Sequence, residues 1–268
     1  MLDNFKREIN YLRISVTDRC NLRCSYCMPE EGIRLKKHED ILTYEKIIKV
    51  VEAAVEIGIT KIRLTGGEPL VRKDIVSLVE GIKNIKGVKE LAMTTNGVFL
   101  KGLAVTLKKN GLDRVNISLD TLDPKKYKDL VKRETIDKVL EGIDSVIEAG
   151  FKNTKINMVL IPGFNDDEVE NMKKFCLDKG LKLQRINHYS LSDINSINRK
   201  YKAERPLVCS VCNRIRLTAD GKLKPCLFSD REIDLDAVDI IESLKSAVLA
   251  KPKSGSSNNS RGNWEIGG

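Results

Sequence analysis

Cys20-Asn21-Leu22-Arg23-Cys24-Ser25-Tyr26-Cys27 places three thiols within eight residues at the spacing C-x3-C-x2-C. Thiolates are soft ligands that suit zinc or iron–sulfur clusters. A cubane has four irons, so three cysteines leave one iron open to a small molecule that can chelate it and receive an electron. A structural zinc site wants a fourth Cys or His nearby, and none follows closely. The ferredoxin run C-x2-C-x2-C, whose irons are all protein-ligated, has a different spacing.

Outward from this stretch, one unit repeats: a short β-branched run, a loop, then a longer amphipathic segment. The runs are 11–16 (leading directly into the cysteines), 59–64, 89–93, 114–118, 154–161 and 181–188. Helical patterns follow over 44–56, 100–109, 136–149 and 166–179, with another opened by Asp74. Thr43 reads as the N-cap of the first of these and Gly58 as its stop. Six such units predict a parallel sheet with helices outside it, and an open doubly wound sheet and a partial barrel fit the pattern equally. In either case the loops after the strands share one end, where α/β folds bind ligands. Gly66-Gly67-Glu68-Pro69, Thr94-Thr95-Asn96-Gly97 and Ser118-Leu119-Asp120 all fall in such loops.

A second group, Cys209-x2-Cys212 followed by Cys226, again offers three thiols without a fourth partner. Between them, Asp220-Gly221 is a hairpin signal, and alternation puts Arg214 and Arg216 on one strand face. Two guanidinium forks there could clamp a triphosphate or simply be solvated. The seventh cysteine, Cys176, falls in a helical pattern and reads as core. Six cysteines in two clusters argue for cluster binding in a reducing compartment, hence the cytoplasm, and against a disulfide framework. The segment 191–207 is polar and reads as a connector, and a last helix is expected over 237–249. Residues 253–268 have a flexible-linker composition ending in Gly267-Gly268.

With 268 residues, 41% apolar and 32% charged, the composition is that of a soluble globular chain. No apolar run approaches a membrane span and the N-terminus is not a secretory signal. A formal net charge of +9 favours an anionic partner.

The C-x3-C-x2-C motif, with Tyr26 just before its third cysteine, resembles the radical S-adenosylmethionine (SAM) superfamily. The stretches 17–29, 63–70, 93–97 and 116–123, the Cys209–Cys226 block and the terminal Gly-Gly are similar to the GTP 3′,8-cyclases of molybdenum cofactor biosynthesis. The resemblance decides between the two architectures, implying an incomplete (βα)6 TIM-type barrel over 1–190. A connector and a small C-terminal cluster-binding unit would occupy 191–252, and a flexible tail 253–268.

It further implies two [4Fe–4S] clusters: one on Cys20, Cys24 and Cys27 that binds and reductively cleaves SAM, and one on Cys209, Cys212 and Cys226 that receives GTP. Tyr26, Gly67 and Ser118 would contact SAM. Where the family has a methionine on strand six, Tyr189 is the nearest candidate. GTP contacts would come from Arg13, Arg63, Thr94, Lys155, Arg214 and Arg216. Gly267 and Gly268 would enter the active site. A 5′-deoxyadenosyl radical would abstract the 3′ hydrogen of GTP, and the ribose radical would attack C8 of guanine. Cyclic pyranopterin monophosphate synthase would take the product and an external donor would supply electrons. A homodimer is left open; neither membrane nor nucleic acid is expected. The reading requires both trios to face one cavity at the end of the sheet that bears the first. Two alternatives stand beside it: another radical SAM enzyme with an auxiliary cluster, such as a peptide maturase, and a basic zinc-binding RNA-binding protein.

Overall fold

The computed structural model describes residues 1–29, 32–198 and 200–267. Six strands, β1 (Tyr11–Ser15), β2 (Lys61–Thr65), β3 (Glu90–Thr95), β4 (Arg114–Ser118), β5 (Lys155–Leu160) and β6 (Lys182–Asn187), run parallel and pair in chain order. The helices that return the chain are α1 (Tyr44–Glu56), α2 (Ile75–Lys83), α3 (Leu100–Lys109), α4 (Pro124–Val131), α5 (Ile136–Glu148) and α6 (Val169–Asp178). This is the incomplete (βα)6 barrel. On the far side of β1, β7 (Arg214–Leu217) pairs in parallel, and β8 (Lys222–Lys224) and β9 (Ile233–Asp234) continue the sheet antiparallel. The C-terminal segment therefore extends the barrel sheet, and its helix α7 (Ile240–Leu249) packs on α1.

The alternation of each strand explains both its faces. Leu12, Ile14, Ile62, Leu64, Leu91, Met93, Val115, Ile117, Ile156 and Met158 are fully buried in the hydrophobic core. Each such side chain contributes roughly 1.5–3 kcal/mol by leaving water. The intervening residues are polar and line a hollow instead: Arg13, Arg63, Thr94, Asn116, Lys155 and Asn157. A barrel interior filled with polar groups is a binding cavity, not a packed core.

Helix α1 starts where Thr43 accepts a hydrogen bond from the Lys46 N–H at 3.4 Å, and it buries Ile47, Val50 and Val51. Cys176 is buried in the core on α6. Helix α4 was not anticipated, although Asp123 and Pro124 are an N-cap and an N1 proline; the Asp123 carboxylate accepts from the N–H groups of Lys125 and Lys126. Helix α7 begins at Ile240, later than 237, because Asp239 caps it. Among its described residues the connector 191–207 contains one 3-10 turn, Ile194–Ser196, and then returns beside β6.

Candidate functional site

A cavity of about 340 Å³ occupies the barrel. Cys20, Cys24 and Cys27 line it on the loop after β1. The glycines of the β2 loop hold that loop in place. The Gly67 N–H donates to Thr17 O and the Glu68 N–H to Arg19 O, both at 2.8 Å. A Cβ at Gly67 would lie 2.3 Å from Arg19 O. Gly67 lines the cavity, but its missing side chain is needed against the protein's own backbone. On the other side, α4 accepts hydrogen bonds from the N–H groups of Arg23 and Ser25 at Val131 O and Leu130 O, both 3.0 Å.

Burial pushes the Cys27 thiol up to about 12, and Cys24 well above its ordinary value with the added repulsion of Cys27 and Asp120. Cys20 is raised for the same first reason. Such thiols ionise only against a positive centre placed among them. The donor set therefore fits an iron–sulfur cluster: three soft ligands, desolvated, with the Asn96 amide 3.8 Å from Cys20 Sγ and also bonded to Asn21 Oδ1 at 2.8 Å. Among the described residues no group of His, Cys, Asp or Glu side chains is gathered as a single metal ion would need. Thiols holding a multi-atom cluster need not meet that closely.

Tyr26 lines the cavity, and its hydroxyl donates to Asp120 Oδ2 at 2.8 Å. Asp120 also accepts the Val159 N–H at 2.7 Å, and burial pushes its carboxyl up to about 6. His188 meets Tyr26 edge-on, ring centroids 6.3 Å apart. Ser118 and Tyr189 line the same wall, Tyr189 edge-on to Phe228 at 5.2 Å. Glu68, 1% exposed, joins the loops after β2 and β3 by accepting from the Leu70 N–H, the Thr95 hydroxyl and the Asn96 N–H. Burial raises it to about 7.

Register places Arg216, Arg13 and Arg63 side by side on β7, β1 and β2. Arg13 Nη2 and Arg216 Nη1 both donate to Gly267 O, at 2.8 and 3.0 Å. Arg63 donates to the Tyr11 hydroxyl and, at 2.9 Å, to Thr94 Oγ1. Lys155 donates to Gln184 Oε1 at 3.1 Å, and Arg214 lies over the Tyr11 ring at 5.5 Å. Burial pushes the Arg13, Arg214 and Arg216 guanidiniums down, and neighbouring guanidiniums add to it. Among the described lining residues Glu68 is the one carboxylate, and its oxygens are already engaged. All six residues expected to meet GTP thus share the cavity. Sequence reasoning missed two more cations on its wall, Arg114 and Arg205. Arg114 is paired with Glu90.

The second trio corrects the expectation that both trios share the first trio's end of the sheet: the first cavity continues into a second at the other end of the strands, so a trio at either end can face the hollow. β7 runs parallel to β1, so the 3-10 turn Cys209–Val211 and Cys212, which precede it, sit at the opposite end of the sheet from the first trio. β8 runs antiparallel and carries the chain back, bringing Cys226 to Cys209 and Cys212, close enough for their charges to interact. Buried Lys251 donates to Arg214 O at 2.7 Å and Pro225 O at 2.9 Å. Burial alone would raise the Cys212 thiol, but the charges of Lys251 and Arg214 and the Arg214 N–H outweigh it, and the net shift is downward. Cys212 lines a second cavity of about 570 Å³, which shares Tyr11, Arg114, Arg205 and Arg214 with the first. The trios therefore flank the two ends of adjoining cavities, with the cations between.

The tail 253–267, with its linker composition, is tied down. Ser254 Oγ donates toward Cys209 Sγ at 3.8 Å, and backbone hydrogen bonds join Ser256 to Phe228 and Ile194, and Asn258 to Leu191. Arg261 bonds both Glu232 oxygens at 2.9 Å and Asp220 Oδ2 at 2.9 Å, and Lys36 reaches the same Asp220 at 2.9 Å. A short helix α8 (Asn263–Ile266) buries Ile266, and Gly267 enters the cavity at φ +63°. A Cβ there would lie 2.0 Å from Thr65 Oγ1, so only glycine fits. Gly268 lies outside the described residues. Among the described residues no helix is long and apolar enough to cross a membrane.

The partial barrel and the cysteine loop, with Tyr26 before its third cysteine, are those of a radical SAM protein, and the Radical SAM superfamily model matches residues 14–176. The Molybdenum Cofactor Synthesis C model matches residues 178–253. The chain is 42% identical to the GTP 3′,8-cyclase of Alkaliphilus oremlandii, over 94% of this chain and 93% of that one. It is 41% identical to that of Thermodesulfovibrio yellowstonii, over 94% and 95%. The chain belongs to the GTP 3′,8-cyclase family. Among solved structures, anSMEcpe with bound AdoMet superposes with a TM-score of 0.65 at 17% identity, over 91% of this chain and 78% of that one. Streptococcus suis SuiB bound to S-adenosylmethionine gives 0.67 at 18%, over 87% and 65%. At those identities the likeness is one of fold.

Proposed function

We propose that this chain is a radical SAM GTP 3′,8-cyclase, converting GTP to (8S)-3′,8-cyclo-7,8-dihydroguanosine 5′-triphosphate in the first step of molybdenum cofactor biosynthesis. One observation carries the reading: a cation-walled hollow with Cys20, Cys24 and Cys27 lining one end and Cys212 lining the adjoining cavity at the other. Such a wall suits a polyanion, because fields focus in a low-dielectric cleft.

Cys20, Cys24 and Cys27 would hold the cluster that takes SAM, and Cys209, Cys212 and Cys226 the one that receives guanine. When bound, the first cluster supplies the electron that cleaves SAM to a 5′-deoxyadenosyl radical. The chain's own residues position and enclose. Tyr26 is oriented by Asp120, and with Gly67, Ser118 and Tyr189 it would form the SAM wall. Arg13, Arg63, Lys155, Arg214 and Arg216 would neutralise the triphosphate, and the Thr94 hydroxyl fixes the Arg63 fork. Gly267, held by Arg13 and Arg216, and Gly268 beyond it would close the hollow around the reacting groups. The barrel, residues 1–190, would supply the SAM half of the site and residues 191–252 the second cluster. The product would pass to cyclic pyranopterin monophosphate synthase, and an external donor would reduce the first cluster; a homodimer in the cytoplasm is compatible with this.

The test is anaerobic incubation of the reconstituted protein with SAM, GTP and dithionite. 5′-Deoxyadenosine and a cyclised nucleotide should form together, and only with GTP. Equal 5′-deoxyadenosine without GTP would overturn the substrate.

A further inference from the structure

We propose that Arg205 is a further phosphate-binding residue, donating through Nη1 to the triphosphate of the nucleotide; this rests on the GTP reading above. The connector that carries it lies within the Molybdenum Cofactor Synthesis C match but outside the stretches whose resemblance assigned the other GTP contacts. Its backbone is nonetheless fixed like that of a strand. The connector returns beside β6, where Ile186 and Arg205 form a parallel bridge. The Asn187 N–H donates to Arg205 O at 2.9 Å and the Glu204 N–H to Arg185 O at 3.1 Å.

This rung aims the side chain into the hollow. Arg205 lines both cavities, at the seam they share with Tyr11, Arg114 and Arg214. Its Nη1 is buried and has no hydrogen-bond partner. The adjacent acid does not serve it, because the Glu204 carboxylate accepts from the Arg185 N–H at 2.7 Å and from Arg185 Nη2 at 2.6 Å. The charges that act on Arg205 are those of Arg214, Arg63 and Arg114, with the Tyr11 hydroxyl among them. A guanidinium turned toward like charges, with a donor left open in a cavity, is unfavourable until an anion arrives. A phosphate oxygen matches its fork.

Two measurements separate this role from a structural one. The first is the melting temperature of the cluster-loaded protein without nucleotide. R205Q should melt no lower than wild type, since it removes repulsion and breaks no ion pair; a clear drop would make Arg205 structural and overturn the proposal. The second is equilibrium binding of GTP, inorganic tripolyphosphate and guanosine under anaerobic conditions. R205Q should raise Kd for GTP and for tripolyphosphate about 10- to 100-fold, the range of a charged hydrogen bond, leave guanosine unchanged, and R205K should fall between. An unchanged Kd for GTP in both variants, or equal losses for guanosine, would overturn it. Should wild type bind tripolyphosphate through Arg205 but not GTP, the phosphate role stands and the cyclase reading falls. Should wild type bind neither, both fall.

Discussion

The two cysteine trios offer the same three thiols by opposite means. The first lies on one loop, and its geometry is local: eight residues pinned between the Gly66-Gly67 turn and α4. The second is assembled across the β7–β8 hairpin, which folds Cys226 back onto Cys209 and Cys212. Their surroundings differ as well. Near the first stand Glu68 and Asp120, and its thiols are pushed up. Near the second stand Lys251 and Arg214, and Cys212 is pulled down. The two trios therefore sit in different fields, with the buried carboxyl groups of Glu68 and Asp120 near the first and the cations Lys251 and Arg214 beside Cys212 of the second.

The largest effect tests whether that difference separates two functions. Cys24→Ala and Cys212→Ala should each lose about four of about eight irons, one cubane apiece. Their activities should part company. Cys24→Ala should lose SAM cleavage altogether, by roughly a thousand-fold or more, as when a member of a catalytic unit is removed. Cys212→Ala should still cleave SAM slowly but without dependence on GTP. Identical losses in both, read as 5′-deoxyadenosine with and without GTP, would break the comparison.

The same contrast explains what could be read from residues alone. The first trio, the βα alternation and the shared face of Arg214 and Arg216 depend on local spacing and period, so they were legible. Helix α4 is legible too, in the N-cap and N1 proline of Asp123-Pro124. The position of the second trio was not, because it follows from β7 pairing parallel to β1, a long-range choice that C-x2-C spacing does not encode. Arg205 was hidden in a polar connector whose register with β6 is set by backbone contacts. The tail read as a tether because Ser, Gly and Asn carry no periodicity. Its order comes from distant partners: Asn258 from Leu191, Arg261 from Asp220 and Glu232.

That tail spans the two ends. It starts beside Cys209 and ends at Arg13, and Arg261, 9% exposed at its side chain, is its midpoint clasp. Arg261→Ala leaves Asp220 and Glu232 with Lys36 and Lys224 as their remaining cations. Because each carboxylate keeps a cation, the cost should be less than the about 3–5 kcal/mol of a buried charge left uncompensated, and the loss should fall on the tail. Hydrogen exchange should rise across 253–267 while β1–β6 stay protected, and cyclised product should fall more than SAM cleavage. Uniform deprotection of the barrel would show that the clasp belongs to the core and does not serve the link between the trios.

The smallest effect concerns the carboxylate end alone. Burial lifts Glu68 from an ordinary 4.5 to about 7, so between those values the folded chain keeps a proton that the unfolded chain releases. Stability must then fall as pH rises through that window, by up to on the order of 3 kcal/mol. Its hydrogen bonds from Leu70, Thr95 and Asn96 oppose the shift without cancelling it. In urea melts of the reduced, cluster-free chain, Glu68→Gln should therefore be less stable than wild type near pH 4.5 and should lose Glu68's share of the slope up to pH 7. Asp120, raised to about 6, adds to that slope, and His188, pushed down by burial, opposes it. Lys251→Met, at the cationic end, should lower stability evenly and leave the slope intact, because what it removes is a pair of hydrogen bonds to the Arg214 and Pro225 carbonyls. A slope that survives Glu68→Gln and vanishes in Lys251→Met would mean that the acid-sensitive end of the hollow is the one that holds the guanidiniums.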